Sequence, residues 1–128
     1  MNAVVLDASA FVEMVLRTSR GRRVVAAIRE VSWHVPAHFD IEVFSAIGRL
    51  HRRGLLDAEN ARSLVAELAV IAVERHPVAS LLESAWHHLE GLSPADALYA
   101  ELSRRLSAPL VTCDSGLAQR SPGSILIE

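Results

Sequence analysis

The chain has 128 residues, the size of one domain whose core can form without a disulfide or a structural metal. Hydrophobic residues make up 51% and charged residues 22%, which excludes a disordered chain. All 13 basic residues are Arg, the net charge is -2 and Cys113 stands alone, which excludes a polybasic nucleic-acid binder, an intrachain disulfide and a Cys-built zinc centre.

The apolar run at residues 3–6 predicts a strand ending at Asp7, followed by a helix over 8–16 with Phe11, Val12 and Val15 on one side. A second amphipathic stretch covers 21–31, and the β-prone Ser32-Trp33-His34-Val35 predicts a strand stopped by Pro36. Phe39, Val43, Ile47 and Leu50 recur at helical spacing over 38–53, with Gly54 placed to end the helix. Asp57 is the cap of a further helix carrying Ala61, Leu64, Val65 and Leu68, which runs into the apolar residues 69–73.

Beyond Pro77, residues 78–89 predict a helix closed by Gly91. Ser93-Pro94-Ala95-Asp96 has the form of a helix start, with a hydroxyl cap, Pro at the first position and a carboxylate three residues after the cap. That helix extends to Leu106. Residues 109–113 predict a strand ending at Asp114, and 124–127 a last strand after the Ser121-Pro122-Gly123 turn. Such alternation predicts an α/β fold: a three-layer sandwich with a mostly parallel central sheet and helices on both faces. No linker or repeat divides it, so residues 1–128 read as one domain. No apolar run approaches the ~20 residues of a membrane span, and Asp7 interrupts any secretory signal, so a cytoplasmic protein is expected.

Two strands each deliver an acid at their C-terminal end, Asp7 and Asp114, and ligands bind at that edge of an open α/β sheet. Asp96 in the first turn of one helix and Glu42 in another would join them if both helices begin there. Clustered carboxylates raise one another's pKa unless a cation sits among them, and oxygen-only ligation selects Mg²⁺ or Mn²⁺ over zinc. Each acid also has a structural explanation. Asp7 and Asp114 can cap the helices that follow them, Asp96 fits a capping box with Ser93, and Glu42 can be a solvated helix residue like Asp40 nearby.

The segments VVLDASAFVE, FDIEVFSAIGRL, SPADALYAELSRRL and LVTCDSGLA resemble, in order and over nearly the whole chain, the acidic motifs of the PIN-domain family, in particular the VapC toxins of bacterial toxin–antitoxin pairs. The resemblance implies an Mg²⁺- or Mn²⁺-dependent endoribonuclease. Asp7 and Asp96 would be the principal metal ligands, Glu42 would complete the metal or water shell, and Asp114 would be the fourth acid. Ser9 and Thr112 match polar positions that orient the acids, though each also reads as an ordinary hydroxyl of a helix start or a strand. The resemblance further implies an RNA substrate, a cognate VapB-type antitoxin and a homodimer, with the apolar helix faces between His38 and Val73 as the surface for both protein contacts.

Arg20, Arg22 and Arg23 read as a cluster near a loop and are the candidate grip on an RNA backbone. Arg52-Arg53 and Arg104-Arg105 lie in last helical turns, where the macrodipole accounts for them. His87-His88 with Glu83 lacks a metal-site pattern, and Cys113 reads as a small buried residue. Haloacid-dehalogenase-type phosphatases and response-regulator receivers also end a first strand on Asp, but both need a Lys, which is absent, and Asp7-Ala8-Ser9 lacks the second Asp of DxDxT. The remaining alternative is a catalytically silent scaffold of the same fold that binds a protein partner.

Overall fold

The computed structural model describes residues 2–128. Its centre is a parallel sheet of five strands, β1 (Ala3–Leu6), β2 (Ser32–Pro36), β3 (Glu74–His76), β4 (Leu110–Thr112) and β5 (Ile125–Leu126), in the order β3-β2-β1-β4-β5. β1 therefore lies between β2 and β4, and the chain reverses its direction of travel across the sheet beside it. Val4, Val5, Leu6, Leu110 and Val111 are fully buried, as strands covered on both faces require.

The helices are α1 (Ala8–Val15), α2 (Ser19–Ile28), α3 (Phe39–Arg52), α4 (Ala58–Val70), α5 (Leu82–Ala85), α6 (Pro94–Leu106) and α7 (Ser115–Arg120). Parallel crossovers are right-handed almost without exception, which assigns α1–α4 to one face of the sheet and α5–α7 to the other. The packing follows this, with α1 against α2 and α3, α3 against α4, and α6 against β1, β2 and β4. Phe11 of α1 meets Phe39 of α3 edge-to-face with ring centroids 5.2 Å apart.

Three local readings of the sequence change. β3 was not apparent, because Glu74-Arg75-His76 carries no apolar pattern and forms an edge strand paired only with β2. Residues 78–89 form short pieces instead of one helix: α5 is flanked by 3₁₀ turns at Val78–Ser80 and Trp86–His88. Arg20, Arg22 and Arg23 lie in the first turns of α2, directly after the turn at 16–18, because Thr18 accepts the Gly21 N–H and starts the helix earlier than the apolar pattern shows.

Candidate active site

Asp7 follows β1 in the position of a helix cap, yet its side chain makes no capping hydrogen bond to α1. Its Oδ2 instead accepts from the Ser9 hydroxyl at 2.6 Å and from the Thr112 hydroxyl, on β4, at 2.7 Å. Thr112 Oγ1 in turn accepts the Asp114 N–H at 3.0 Å, and Ser9 Oγ accepts the Cys113 N–H at 3.2 Å. These bonds lock the end of β1 to the end of β4 and hold the nearly buried Asp7 in one orientation. The Thr112 hydroxyl at the end of β4 and the Ser9 hydroxyl in the first turn of α1 thus both hold Asp7 Oδ2.

Asp114 does cap the helix after it. Its Oδ1 accepts the N–H groups of Gly116 at 2.9 Å and Leu117 at 3.2 Å. Asp96 sits in the first turn of α6, where the Ser93 hydroxyl accepts its N–H at 3.2 Å. Glu42, near the start of α3, accepts the Tyr99 hydroxyl of α6 at 2.7 Å on Oε1. His38 donates from Nε2 to the Ala95 carbonyl at 3.0 Å and stands 3.5 Å from Glu42 Oε1, while its buried Nδ1 has no partner among the described residues. The starts of α3 and α6 are thereby tied together beyond the sheet edge.

The four acids, Asp7, Glu42, Asp96 and Asp114, line one pocket of about 390 Å³ with Ser9, Glu13 and Arg49. Burial pushes the Asp7 carboxyl above its ordinary pKa, against the Ser9 and Thr112 hydrogen bonds, and the Asp114 charge adds to the rise. Burial also raises Asp96, helped by the charges of Asp7, Asp114 and Glu42. Among the described residues, none of the four is ion-paired with an Arg. The bonds described engage Oδ2 of Asp7, Oε1 of Glu42 and Oδ1 of Asp114, so they occupy only one oxygen of each. A hard divalent cation fits this donor set. The acids stand apart, for no three of them bring ligand atoms within 4.8 Å of one another among the described residues, as expected of repelling charges.

Sequence reasoning missed Tyr99, His38, Arg49 and Glu13. Tyr99 follows Asp96 by three residues and Arg49 follows Glu42 by seven, both helical same-face spacings. Of the three arginines proposed to grip RNA, Arg20 lies beside the Cys113 thiol at the end of β4. Arg22 bonds the Arg17 carbonyl at 3.2 Å and Arg23 the Glu128 carbonyl at 2.5 Å, so both are already engaged with backbone oxygens. Burial raises the Cys113 thiol pKa, in keeping with an inert residue. His88 bonds Glu101 at 3.1 Å and joins no metal site with His87 and Glu83.

A parallel α/β sheet with an acid pocket at the point where its strand order reverses defines a class of carboxylate-site proteins. The family model described as PIN domain matches residues 4–121. The chain is 42% identical over 122 residues to Ribonuclease VapC3 of Mycobacterium tuberculosis, covering 94% of this chain and 89% of that one. It belongs to the PIN-domain family and, within it, to the VapC ribonucleases. The fold is similar to PAE2754 from Pyrobaculum aerophilum, with a TM-score of 0.72 and 21% identity over 99% of this chain and 84% of that one. It is also similar to a chain of a toxin–antitoxin complex from Klebsiella pneumoniae, with a TM-score of 0.70 and 11% identity over 98% of both.

Proposed function

We propose that the chain, as a single PIN domain, is the toxin of a VapBC-type pair and cleaves RNA endonucleolytically with Mg²⁺ or Mn²⁺ held by Asp7, Glu42, Asp96 and Asp114. The observation that carries this is the pocket's excess of negative charge: the four acids and Glu13 line it with Arg49, burial raises the pKa of Asp7 and of Asp96, and among the described residues no Arg is ion-paired with any of the four. A divalent ion held by these acids would offset that charge and would supply Lewis-acid chemistry at the scissile phosphate and a more acidic bound water. Asp7 and Asp96 are the principal ligands, Glu42 is placed by Tyr99, and Asp114 holds its free oxygen towards the set while capping α7. Ser9 and Thr112 keep Asp7 from turning away to cap α1. Arg49, which lines the pocket, and Arg20, beside Cys113, are the cations offered to an RNA phosphate.

The partners follow the same reading. Between α3 and α4 runs an apolar groove of about 730 Å³ lined by Ile41, Phe44, Val65 and Ala69, with Ile41 58% and Phe44 52% exposed. An antitoxin segment and a second copy of the chain are the proposed occupants of this α3–α4 face. No helix among the described residues is long and apolar enough to cross a membrane.

The test is cleavage of total cellular RNA by antitoxin-free protein with and without Mg²⁺ or Mn²⁺, beside a folded Asp7→Asn/Asp96→Asn variant. Discrete, metal-dependent cuts that the variant loses support the assignment. Absence of cutting by the parent protein overturns it in favour of a silent scaffold.

A further inference from the structure

The geometry points to a second metal site, distinct from the acid pocket, in which His34, Glu74 and His76 take Zn²⁺ or another borderline divalent ion between β2 and β3. The parallel register pairs His34 with Glu74 and Pro36 with His76, and side chains two apart on a strand share a face. All three side chains therefore meet on one side of the sheet. One ligand atom from each lies within 4.8 Å of the others. His34 Nδ1 is 2.9 Å from His76 Nε2 and 3.4 Å from Glu74 Oε2. Donors around a tetrahedral zinc at ordinary bond lengths stand about 3.4 Å apart, so the two rings need to separate only slightly.

The surrounding hydrogen bonds prepare the site. Ser32 donates its hydroxyl proton to the Asn2 carbonyl at 3.1 Å, so its oxygen is left to accept from His34 Nε2–H at 3.2 Å. That assignment leaves the lone pair of His34 on Nδ1, facing His76. A single proton, carried by His76 Nε2, then occupies the space between the two nitrogens. Binding an ion there asks His76 only to hold its proton on Nδ1 instead, with no change in charge. A ligating histidine commonly donates its other ring N–H to a carboxylate, backbone carbonyl or water that fixes its tautomer, and here the Ser32 hydroxyl takes that place.

Imidazole and carboxylate together suit zinc better than Mg²⁺, which prefers all-oxygen shells, so the two sites select different ions. Three protein ligands leave a fourth position for water. The ion would also clamp β3, a three-residue edge strand, to β2.

The experiment is titration of the full chain with Zn²⁺ in excess Mg²⁺, so that the acid pocket is already filled, followed by calorimetry and by the absorption spectrum of a Co²⁺ substitute. One equivalent is expected with a tetrahedral cobalt spectrum, weakened roughly 10- to 100-fold or more in His34→Gln/His76→Gln and unchanged in Asp7→Asn. Equal uptake by the histidine variant, or uptake lost in Asp7→Asn instead, overturns the proposal. Should the histidine variant fail to fold, ring-nitrogen NMR of the parent chain decides the matter. Zinc must shift His34 Nδ1 and His76 Nε2, and unmoved resonances overturn the site.

Discussion

The Tyr99 hydroxyl, on α6, donates to Glu42 Oε1, on α3, at 2.7 Å, and so joins the two helices that bring Glu42 and Asp96 to the same pocket. Tyr99 is fully buried, and burial together with the Glu42 charge raises its phenol pKa far above the ordinary value, so it stays a donor. Tyr99→Phe keeps the packing and removes only this bond. A stability loss of about 1.5–3 kcal/mol is expected for a hydrogen bond to a charged group. RNA cleavage should fall roughly tenfold or more in kcat with KM little changed, because the carboxylate is misplaced and not the substrate. Single-turnover kinetics beside a melting curve check both halves.

Asp7→Asn separates stability from activity. Burial and the Asp114 charge both raise the Asp7 pKa, so ionising this carboxyl in the metal-free fold works against stability. An amide oxygen can still accept from Ser9 and Thr112 without carrying charge. The variant should therefore melt higher than the parent in EDTA, lose the parent's further stabilisation by Mg²⁺ or Mn²⁺, and cleave at least about 10³-fold more slowly. Melting curves with and without metal, beside a cleavage assay, are the check.

Asp7 and Asp114 were legible as candidates because each ends an apolar strand, where alternation of strands and helices puts a ligand edge, but it was the resemblance of four successive motifs that set them above ordinary helix caps. Whether each also capped a helix was not legible. Asp114 caps α7, while Asp7 is turned away from α1 by a threonine more than a hundred residues distant in the chain. Tyr99 read only as part of a helical face, since its partner Glu42 depends on how α3 and α6 meet. β3 was hidden because backbone pairing to β2, and not an apolar pattern, makes it a strand. Glu101 was hidden too, for a Glu three and four residues before Arg104 and Arg105 reads as a solvated pair, yet its side chain is 1% exposed.

Thr112→Val tests the brace on Asp7. Valine matches threonine in shape, and Thr112 is fully buried, so the change deletes a donor to Asp7 and an acceptor for the Asp114 N–H without leaving a cavity. Leaving both groups short of a partner should cost about 1–3 kcal/mol. Ser9→Ala removes a hydroxyl from a less buried site and should cost less, so denaturant melts of the two variants should rank in that order.

Glu101 sets an acid limit to stability. The Arg104 hydrogen bond, with His88 and Arg105, outweighs burial and brings its pKa from 4.5 to about 2. A depressed folded pKa means the stabilisation is complete above the unfolded value, near 4.5, and is lost as pH falls from there towards 2. Asp7 and Asp96, whose values are raised, act with the opposite sign in the metal-free protein. The Glu101 contribution is therefore read as the difference from Glu101→Gln. Stability at neutral pH should drop by about 1–2 kcal/mol in that variant, and the difference from the parent should shrink through that acid window.

Gly21→Ala should be the most damaging small substitution in the chain. A Cβ at Gly21 would lie 2.0 Å from the Glu13 carbonyl oxygen, 2.5 Å from its carbon and 2.9 Å from Met14 Cα. These are backbone atoms of α1, so relief requires α1 and α2 to part, which costs about 3 kcal/mol or more where overpacking cannot be absorbed. Gly91→Ala is the control, because the atoms within reach of its Cβ belong to the flexible Arg120 side chain, and a change within about 0.5 kcal/mol is expected. The clash also reaches the site, since α1 carries Ser9, which braces Asp7, and Glu13, which lines the acid pocket. Gly21→Ala protein that still folds should thus lose cleavage at temperatures well below its melting point, whereas Gly91→Ala should cleave like the parent.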